Sequence, residues 1–213
     1  MSRLIHIRRV ISRYGGLILI LFHGIGIFLL GGSCREDFAF LTPYNLLLML
    51  ILFLLASEPP KHNALYVAPI FLGFIIEVIG TNTGWPFGAY TYGKALGPSL
   101  LQTPLFIGVL WWILIRSCFD LSERWNSNGW IRALLTGLAM VTLDLLIEPV
   151  AIELGFWRWD TDKVPVENYV AWFILATIFS RLTAAGNARN KLSSWVIITL
   201  TLFFATLNIV FWK

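Results

Sequence analysis

The sequence is poor in charge. Of its 213 residues, only 13% are Asp, Glu, Lys or Arg, whereas 57% are hydrophobic. Soluble domains usually carry about 25% charged residues. This shortage, together with apolar runs near the roughly 20 residues that cross a bilayer, excludes an ordinary soluble enzyme and predicts a helical protein that crosses the membrane several times. No stretch has the composition of a linker or a soluble domain, so we predict one integral membrane domain over residues 1–213.

Cysteine and histidine are also scarce, with two Cys and three His. Cys34 and Cys118 are expected at opposite faces of the membrane, separated by most of a bilayer thickness of about 30 Å. A disulfide needs Cα atoms less than about 7 Å apart, so no disulfide within the chain is expected. His6, His23 and His62 share no metal-ligand spacing, and no metal site is predicted. For His23, inside the first span, a buried His bonded to a neighbouring helix is the favoured interpretation.

The apolar runs predict seven transmembrane helices. Their approximate bounds are Tyr14–Leu30, Leu41–Leu55, Ala64–Ile79, Leu101–Phe119, Trp130–Pro149, Tyr169–Leu182 and Trp195–Phe211. Eleven of the 16 Lys and Arg fall on the side that holds the N-terminus, and cytoplasmic loops carry such an excess. The predicted fold is therefore an all-α polytopic bundle in the cell (inner) membrane with a cytoplasmic N-terminus. Because the basic residues are scattered at the ends of apolar runs, nucleic acid is not expected as a partner.

Three acidic residues lie within predicted spans rather than in loops. Glu77 lies near the end of the third span, and Asp144 and Glu148 lie near the end of the fifth, one helical turn apart on one face. Both spans run outward, so the three carboxyl groups share a depth where charged groups are costly and usually face a cavity or a partner. A helix cap or an ion pair with Arg158 is the structural alternative for each. The three together favour a catalytic site.

Unusual loops follow both of these spans on the predicted outer side. They read GTNTGWPFGAYTYG and GFWRWDTDKVPVENYVAW. Trp and Tyr often form an interfacial belt at headgroup depth, which accounts for several of the ten Trp. Glycines interleaved with aromatic rings instead indicate backbone that bends back toward the bundle, with rings lining a hollow. The predicted substrate-binding residues are Asn82, Trp85, Phe87, Tyr90, Tyr92, Trp111, Trp157, Trp159, Asn168 and Trp172.

Acid groups beside aromatic walls suit acid catalysis on an alkene. A carboxylic acid that stays neutral in an apolar site can donate a proton, and aromatic faces stabilise a nearby cation. The resulting carbocation can be captured by water, close a ring onto an internal double bond, or lose a proton. The sequence contains no pattern for a thiol nucleophile or a phosphate-binding glycine loop, and no cofactor is expected.

A series of short motifs runs through residues 64–175 in a fixed order. Its positions are Glu77, Gly80, Thr83-Gly84, Phe87-Gly88, Tyr90, Tyr92, Leu96-Gly97, Pro104, Trp111, Asp144, Glu148-Pro149, Gly155, Trp157, Trp159, Val164-Pro165, Asn168-Tyr169 and Trp172. The series resembles that of the carotenoid biosynthesis proteins of the CruF type, which are carotenoid 1,2-hydratases. The chain departs from that pattern at residues 160–163 and at Ala171, which concerns substrate detail more than reaction class.

The resemblance implies hydration of the terminal 1,2 double bond of an acyclic (ψ) carotenoid end, as in lycopene or γ-carotene, to give a tertiary alcohol. It implies a substrate dissolved in the lipid bilayer, no cofactor, and association with other enzymes of the carotenoid pathway. On chemical grounds we expect Asp144 or Glu77 to protonate the alkene. Glu148 would orient or deprotonate the attacking water, which Asn168 and Tyr90 would hold.

Alternatives from other classes remain open. A small membrane-embedded lycopene cyclase begins with the same protonation and ends in a ring. Asn168, in the run Pro165-Val166-Glu167-Asn168, stands where such cyclases carry a second acid, which favours the hydratase. A non-enzymatic carotenoid-binding protein, a photoreceptor or a transporter is the further alternative. The last span contains no Lys for a retinal Schiff base, and the sequence shows no repeat typical of a transporter.

Overall fold

The computed structural model describes residues 2–33, 35–61, 63–161, 163–185 and 189–212. Within them lie the helices α1 (Ser2–Leu30), α2 (Arg35–Phe38), α3 (Thr42–Ala56), α4 (Asn63–Thr83), α5 (Phe106–Ser122), α6 (Gly129–Glu153), α7 (Val166–Ala185) and α8 (Ser193–Phe211). Four short strands are β1 (Tyr90–Tyr92), β2 (Ser99–Leu100), β3 (Thr103–Pro104) and β4 (Trp157–Trp159). The predicted all-α polytopic fold is confirmed, since all helices except the four-residue α2 are long.

Five helical segments are long and apolar enough to cross a membrane: Ile5–Leu30, Ala39–Ala56, Ala64–Thr83, Gly129–Glu153 and Ser193–Phe211. The other two predicted spans correspond to α5 and α7. The 17-residue α5 packs against α3, α4, α6, α7 and α8, and its residues Trp112 to Ile115 are fully buried. Its neighbours therefore separate α5 from lipid, and it forms the centre of a multi-pass bundle.

Several helix boundaries differ from those predicted. Helix α1 begins at Ser2 rather than Tyr14. Helix α5 begins five residues later than predicted, because β2 and β3 pair as a hairpin in front of it. Helix α6 continues past Pro149 to Glu153. Pro149 leaves the Leu145 carbonyl without its helical donor, and Asn208 on α8 donates to the neighbouring carbonyl of Leu146 at 2.7 Å.

The segments after α4 and α6 turn back and pair with each other. Gly84, which follows α4, has a φ of +77°, a left-handed conformation that glycine adopts without strain and that often ends helices. Strand β1 then pairs antiparallel with β4, so that Tyr90 lies opposite Trp159 and Tyr92 opposite Trp157. The predicted return of these segments toward the bundle is confirmed. Because strand side chains alternate, the two Tyr and two Trp share one face of the pair.

A polar network joins the helices at the opposite end of the bundle. Asp120 on α5 forms an ion pair with the buried Arg116 and accepts hydrogen bonds from the Ser193 hydroxyl at 2.6 Å and the Asn190 N–H at 3.2 Å. These contacts fix the start of α8 against α5. The nearby Cys118 is buried and forms no disulfide with any described residue. Cys34 and His62 lie outside the described residues, so the expected lack of a disulfide stays a prediction.

Candidate active site

Glu77, near the end of α4, is buried among three hydrogen-bond donors. Its Oε2 accepts from the hydroxyls of Tyr90 at 2.6 Å and Tyr92 at 2.7 Å, and its Oε1 accepts from Trp111 Nε1 at 2.7 Å. The two Tyr come from β1 and the Trp from α5. The Trp111 N–H can only donate, so at least one carboxyl oxygen of Glu77 acts as an acceptor.

The second group of acids lies on α6, where Asp144 and Glu148 are both buried. Glu148 Oε2 accepts from Trp157 Nε1 at 3.0 Å and Trp159 Nε1 at 2.9 Å. Asn168 on α7 donates from Nδ2 to Asp144 Oδ2 at 2.7 Å and approaches Glu148 Oε1 at 3.5 Å. The other oxygen of Asp144, Oδ1, is buried and makes no hydrogen bond to any described residue. It is therefore the carboxyl oxygen in this group best placed to carry a proton.

Aromatic rings in contact with one another connect the two groups of acids. The Tyr90 and Trp159 rings lie 5.0 Å apart, and the Tyr92 and Trp157 rings 6.0 Å apart. On the helix side, Trp111 on α5 lies 4.6 Å from Trp172 on α7. These distances are those of interacting aromatic pairs. The carboxyl groups thus lie beside one continuous layer of rings. We call the three acids and these rings together the carboxyl site.

The buried environment of the carboxyl site keeps the phenols of Tyr90 and Tyr92 neutral. Burial raises the pKa of Tyr90 strongly, and the charge of Glu77 and the hydrogen bond to it raise that pKa further. The charge of Glu148 acts in the same direction, which shows that both groups of acids influence Tyr90. Burial, and then the charge of Glu77, likewise raise the pKa of Tyr92. Both phenols therefore remain hydrogen-bond donors well above neutral pH.

The ion pair considered for these acids does not form. Arg158 occupies an exposed position in the middle of β4, opposite Thr91, and within the described part of the chain its guanidinium forms no salt bridge. The hydrogen-bond donors to the three acids are neutral hydroxyl, indole and amide groups. The acids are therefore buried without a basic partner in the described ranges, an arrangement that is more typical of a functional site than of a structural ion pair.

Most of the predicted substrate-binding residues are brought together. Phe87 is buried, with its ring 6.1 Å from that of Tyr90. The others that gather here are Tyr90, Tyr92, Trp111, Trp157, Trp159, Asn168 and Trp172. Asn82 and Trp85 are not brought in. Asn82 is exposed and donates to the Val78 carbonyl at 2.8 Å, and Trp85 is 67% exposed, as expected for the interfacial belt.

An apolar cavity of about 290 Å³ lies beside the carboxyl site, between α1, α3, α5, α6 and α8. It reaches the site at Ile147 and Trp157, the latter being a donor to Glu148. Sequence patterns did not predict this cavity, because its walls come from apolar runs without a motif. The signals available were the lone polar residues His23 and Asn45 within those runs.

His23 has the role that the sequence predicted. Its Nδ1–H donates to the Leu19 carbonyl at 2.8 Å, and Asn45 Nδ2 donates to its Nε2 at 3.4 Å. The ring also packs edge-on against Phe203 of α8 at 5.3 Å. It is therefore a buried histidine bonded to a neighbouring helix, as expected.

A polar pocket of about 310 Å³ adjoins the carboxyl site at Tyr92. Its walls include Thr81, Thr91, Lys94 and Gln102, and Tyr92 forms part of them. Since the Tyr92 hydroxyl also donates to Glu77, one side chain connects this pocket to the acid. The carboxyl site thus contacts a hydrocarbon-like cavity through Ile147 and Trp157 and a polar pocket suited to water through Tyr92.

These features define a multi-pass membrane protein with buried acids in an aromatic site. The chain belongs to the carotenoid biosynthesis protein family, whose model matches residues 41–213. It is similar to bisanhydrobacterioruberin hydratase from Haloarcula japonica, with 32% identity over 121 residues. The match covers 53% of this chain and 41% of the relative, so the chain spans less than half of that protein's length. No solved structure matches the chain.

Proposed function

We propose that the protein is a carotenoid hydratase that adds water to the terminal double bond of an acyclic carotenoid end and forms a tertiary alcohol. One observation carries the proposal: buried carboxyl groups with neutral donors adjoin both an apolar cavity and a polar pocket. Hydration of a hydrocarbon needs this combination of an acid, an apolar chamber and access for water. The relative's name, a hydratase, supports the same reaction class.

Asp144 is the acid in the proposed mechanism. Its Oδ1 is free of hydrogen bonds to described residues, and Asn168 holds the other oxygen at 2.7 Å. The proton moves from Asp144 to the less substituted carbon of the terminal double bond and forms a C–H bond. The tertiary cation that results is stabilised by the faces of the neighbouring indole and phenol rings.

Water completes the reaction. Its oxygen forms a C–O bond with the cationic carbon, and the proton that it releases goes to a carboxylate, so that one water is added and no electron is transferred. Glu148 is the proposed acceptor of that proton, because it lies one turn from Asp144 and Asn168 lies near both. Glu77 is the fixed anion that stabilises the cation electrostatically. In this scheme Tyr90 and Tyr92 position Glu77, and the water arrives from the polar pocket.

The substrate class and cellular setting extend this proposal. We expect a lycopene- or γ-carotene-type substrate that reaches the site from the bilayer, a single membrane domain over residues 1–213, and a location in the cell (inner) membrane. Association with other enzymes of carotenoid synthesis would shorten the path of a substrate that cannot leave the lipid. No cofactor is required, since hydration is redox-neutral.

The decisive test is the product formed in cells that accumulate lycopene, with and without a cyclase that makes γ-carotene. Mass spectrometry of the pigments should show the gain of one water per acyclic end, and the Asp144→Asn variant should show none at the same protein level. A product of unchanged mass with a shifted absorption spectrum would identify a cyclase instead. Pigment that binds without chemical change would contradict enzymatic activity.

A further inference from the structure

We propose that the apolar cavity binds the end of the isoprenoid chain, which enters sideways from the bilayer between α1 and α3, and that Asn45 in its wall accepts a hydrogen bond from a hydroxyl group on that chain. The inference rests on the proposed function for the nature of the ligand. The position of the ligand in the apolar cavity and the role of Asn45 rest on features outside the carboxyl site. The proposed mechanism does not use these features.

The size of the cavity fits the end of a chain and not a whole carotenoid. A volume of about 290 Å³ holds roughly ten units of the size of a water molecule or a methylene group. That corresponds to about two isoprene units. A longer polyene must therefore extend out of the cavity, and its apolar surface requires that it extend into lipid.

The walls show where the chain leaves. Phe22 and Ile25 on α1, Leu41, which precedes α3, and Tyr44 on α3 all line the cavity, and all four are exposed on the surface of the bundle. An opening rimmed by exposed apolar side chains on transmembrane helices faces the hydrocarbon of the bilayer. A ligand dissolved in lipid can thus enter without crossing water.

The inner end of the cavity directs the chain toward the acids. Ile147 on α6 lies between Asp144 and Glu148 in sequence, and Phe156 and Trp157 lie just before or within β4. The Trp157 indole both lines the cavity and donates to Glu148. An isoprenoid end that fills the chamber therefore stops against the residue that connects the cavity to the carboxyl site.

Asn45 places an unsatisfied acceptor in this apolar wall. His23 holds its proton on Nδ1, because that atom donates to the Leu19 carbonyl, so Nε2 can only accept from Asn45 Nδ2. The remaining polar atom of Asn45, Oδ1, is buried and has no partner among the described residues. A buried acceptor without a donor is costly, and a hydroxyl on the bound chain would supply that donor once the Asn45 amide turns its Oδ1 toward the cavity. The proposed reaction itself creates such a hydroxyl, so Asn45 would favour ends that are already hydrated.

Binding of the chain in the apolar cavity is tested by closing the opening of the cavity. Ile25→Trp fills the mouth, and Leu21→Trp, one turn earlier on α1, is the matched control because Leu21 is exposed and does not line the cavity. Binding of lycopene is measured by titration of the purified protein in lipid nanodiscs, in an Asp144→Asn background that prevents turnover. A lycopene analogue with saturated ends gives the same comparison with Asp144 intact.

Ile25→Trp should weaken lycopene binding by at least about tenfold, since loss of burial of only two methylene-sized groups has that effect. Leu21→Trp should bind as the parent does. Equal binding by both variants would overturn the proposal that the apolar cavity binds the isoprenoid end. Because the assay measures binding without reaction, failure of the wild-type protein to hydrate lycopene would contradict the proposed function and leave this result intact.

Asn45→Leu tests the hydroxyl contact with two probes, lycopene and its singly hydrated product. The variant should lose about fivefold in affinity for the hydrated product, the worth of one ordinary hydrogen bond, and should bind lycopene at least as well as before. A loss of equal size for both probes would assign Asn45 a structural role. No loss for either would show that its Oδ1 does not contact the ligand. Both outcomes overturn this part of the proposal.

Discussion

Tyr90 and Trp159 face each other across the β1–β4 pair with their rings 5.0 Å apart, and each donates a hydrogen bond to an acid on a different helix. Tyr90 donates to Glu77 on α4, and Trp159 donates to Glu148 on α6. One short strand pairing therefore sets the distance between two groups of acids that lie 71 positions apart in the sequence.

Asp144→Asn should abolish most of the hydration activity. General acid catalysis contributes roughly 10²–10⁴-fold to rate, and the amide keeps the shape of the side chain but cannot donate the required proton. Product formed per protein in lycopene-containing membranes gives the measurement. Glu167→Gln is the matched control, because Glu167 is an exposed acid in the first turn of α7. Full activity in Asp144→Asn would eliminate Asp144 as the acid.

Trp157→Phe and Trp159→Phe should each lower activity and keep the protein folded. Phenylalanine retains an aromatic ring but deletes the indole N–H that Glu148 accepts at 3.0 or 2.9 Å. A lost hydrogen bond to a charged group is worth about 1.5–3 kcal/mol, or roughly 10- to 150-fold in rate if that group must be oriented for the reaction. Trp125→Phe, at an exposed Trp, should have wild-type activity. Activity of Trp159→Phe equal to that control would show that orientation of Glu148 does not limit the reaction.

The two buried phenols should make stability fall in strong alkali. The pKa values of Tyr90 and Tyr92 are raised in the folded state. The contribution of the two neutral phenols to the free energy of unfolding is therefore fully present below the unfolded-state pKa of about 10, and it is lost as the pH rises above that value toward the folded-state pKa. Each Tyr adds a slope of about 1.4 kcal/mol per pH unit in that range. The melting temperature in detergent, measured from roughly pH 9 to pH 11, should therefore fall more steeply for the wild type than for the double variant Tyr90→Phe, Tyr92→Phe. Parallel curves would refute this.

Gly93→Ala should prevent normal folding. A Cβ at Gly93 would lie 2.0 Å from the carbonyl oxygen of Gly155, and the Gly93 N–H already donates to the Phe156 carbonyl at 2.8 Å. The strand pair must therefore separate, which removes the Tyr and Trp donors from the acids. Gly24→Ala in α1 is the control, since a Cβ there meets no atom within 4 Å and Ala stabilises a helix interior by roughly 0.5–1 kcal/mol. Expression level and melting temperature in detergent distinguish the two, and a Gly93→Ala protein as stable as the wild type would contradict the described pairing.

The predicted orientation is open to a direct test. With the N-terminus in the cytoplasm and seven crossings, the C-terminus lies outside. A periplasmic reporter such as alkaline phosphatase fused after Lys213 should be active, and the same reporter in the loop between α5 and α6 should be inactive. The reverse pattern would invert the bundle and place the polar pocket on the cytoplasmic side.

The fold class and most of the residues that form the carboxyl site could be predicted from the sequence, because both depend on local patterns. Apolar runs identify transmembrane segments without any knowledge of their neighbours. Acids are so costly inside such runs that Glu77, Asp144 and Glu148 stand out individually. Asn82 and Trp85 belong to the same polar and aromatic run as residues that do gather, and composition alone could not show that Asn82 is exposed in the last turn of α4 and that Trp85 is exposed just after Gly84.

The sequence by itself therefore determined that the chain crosses a membrane and carries unusual acids near the ends of two helices. Only the tertiary structure decided which donor serves which acid. That choice depends on the register of β1 against β4, where a shift of one residue would turn every side chain to the other face. The apolar cavity also required the structure, because it is a gap between five helices whose inward faces look like any other apolar run.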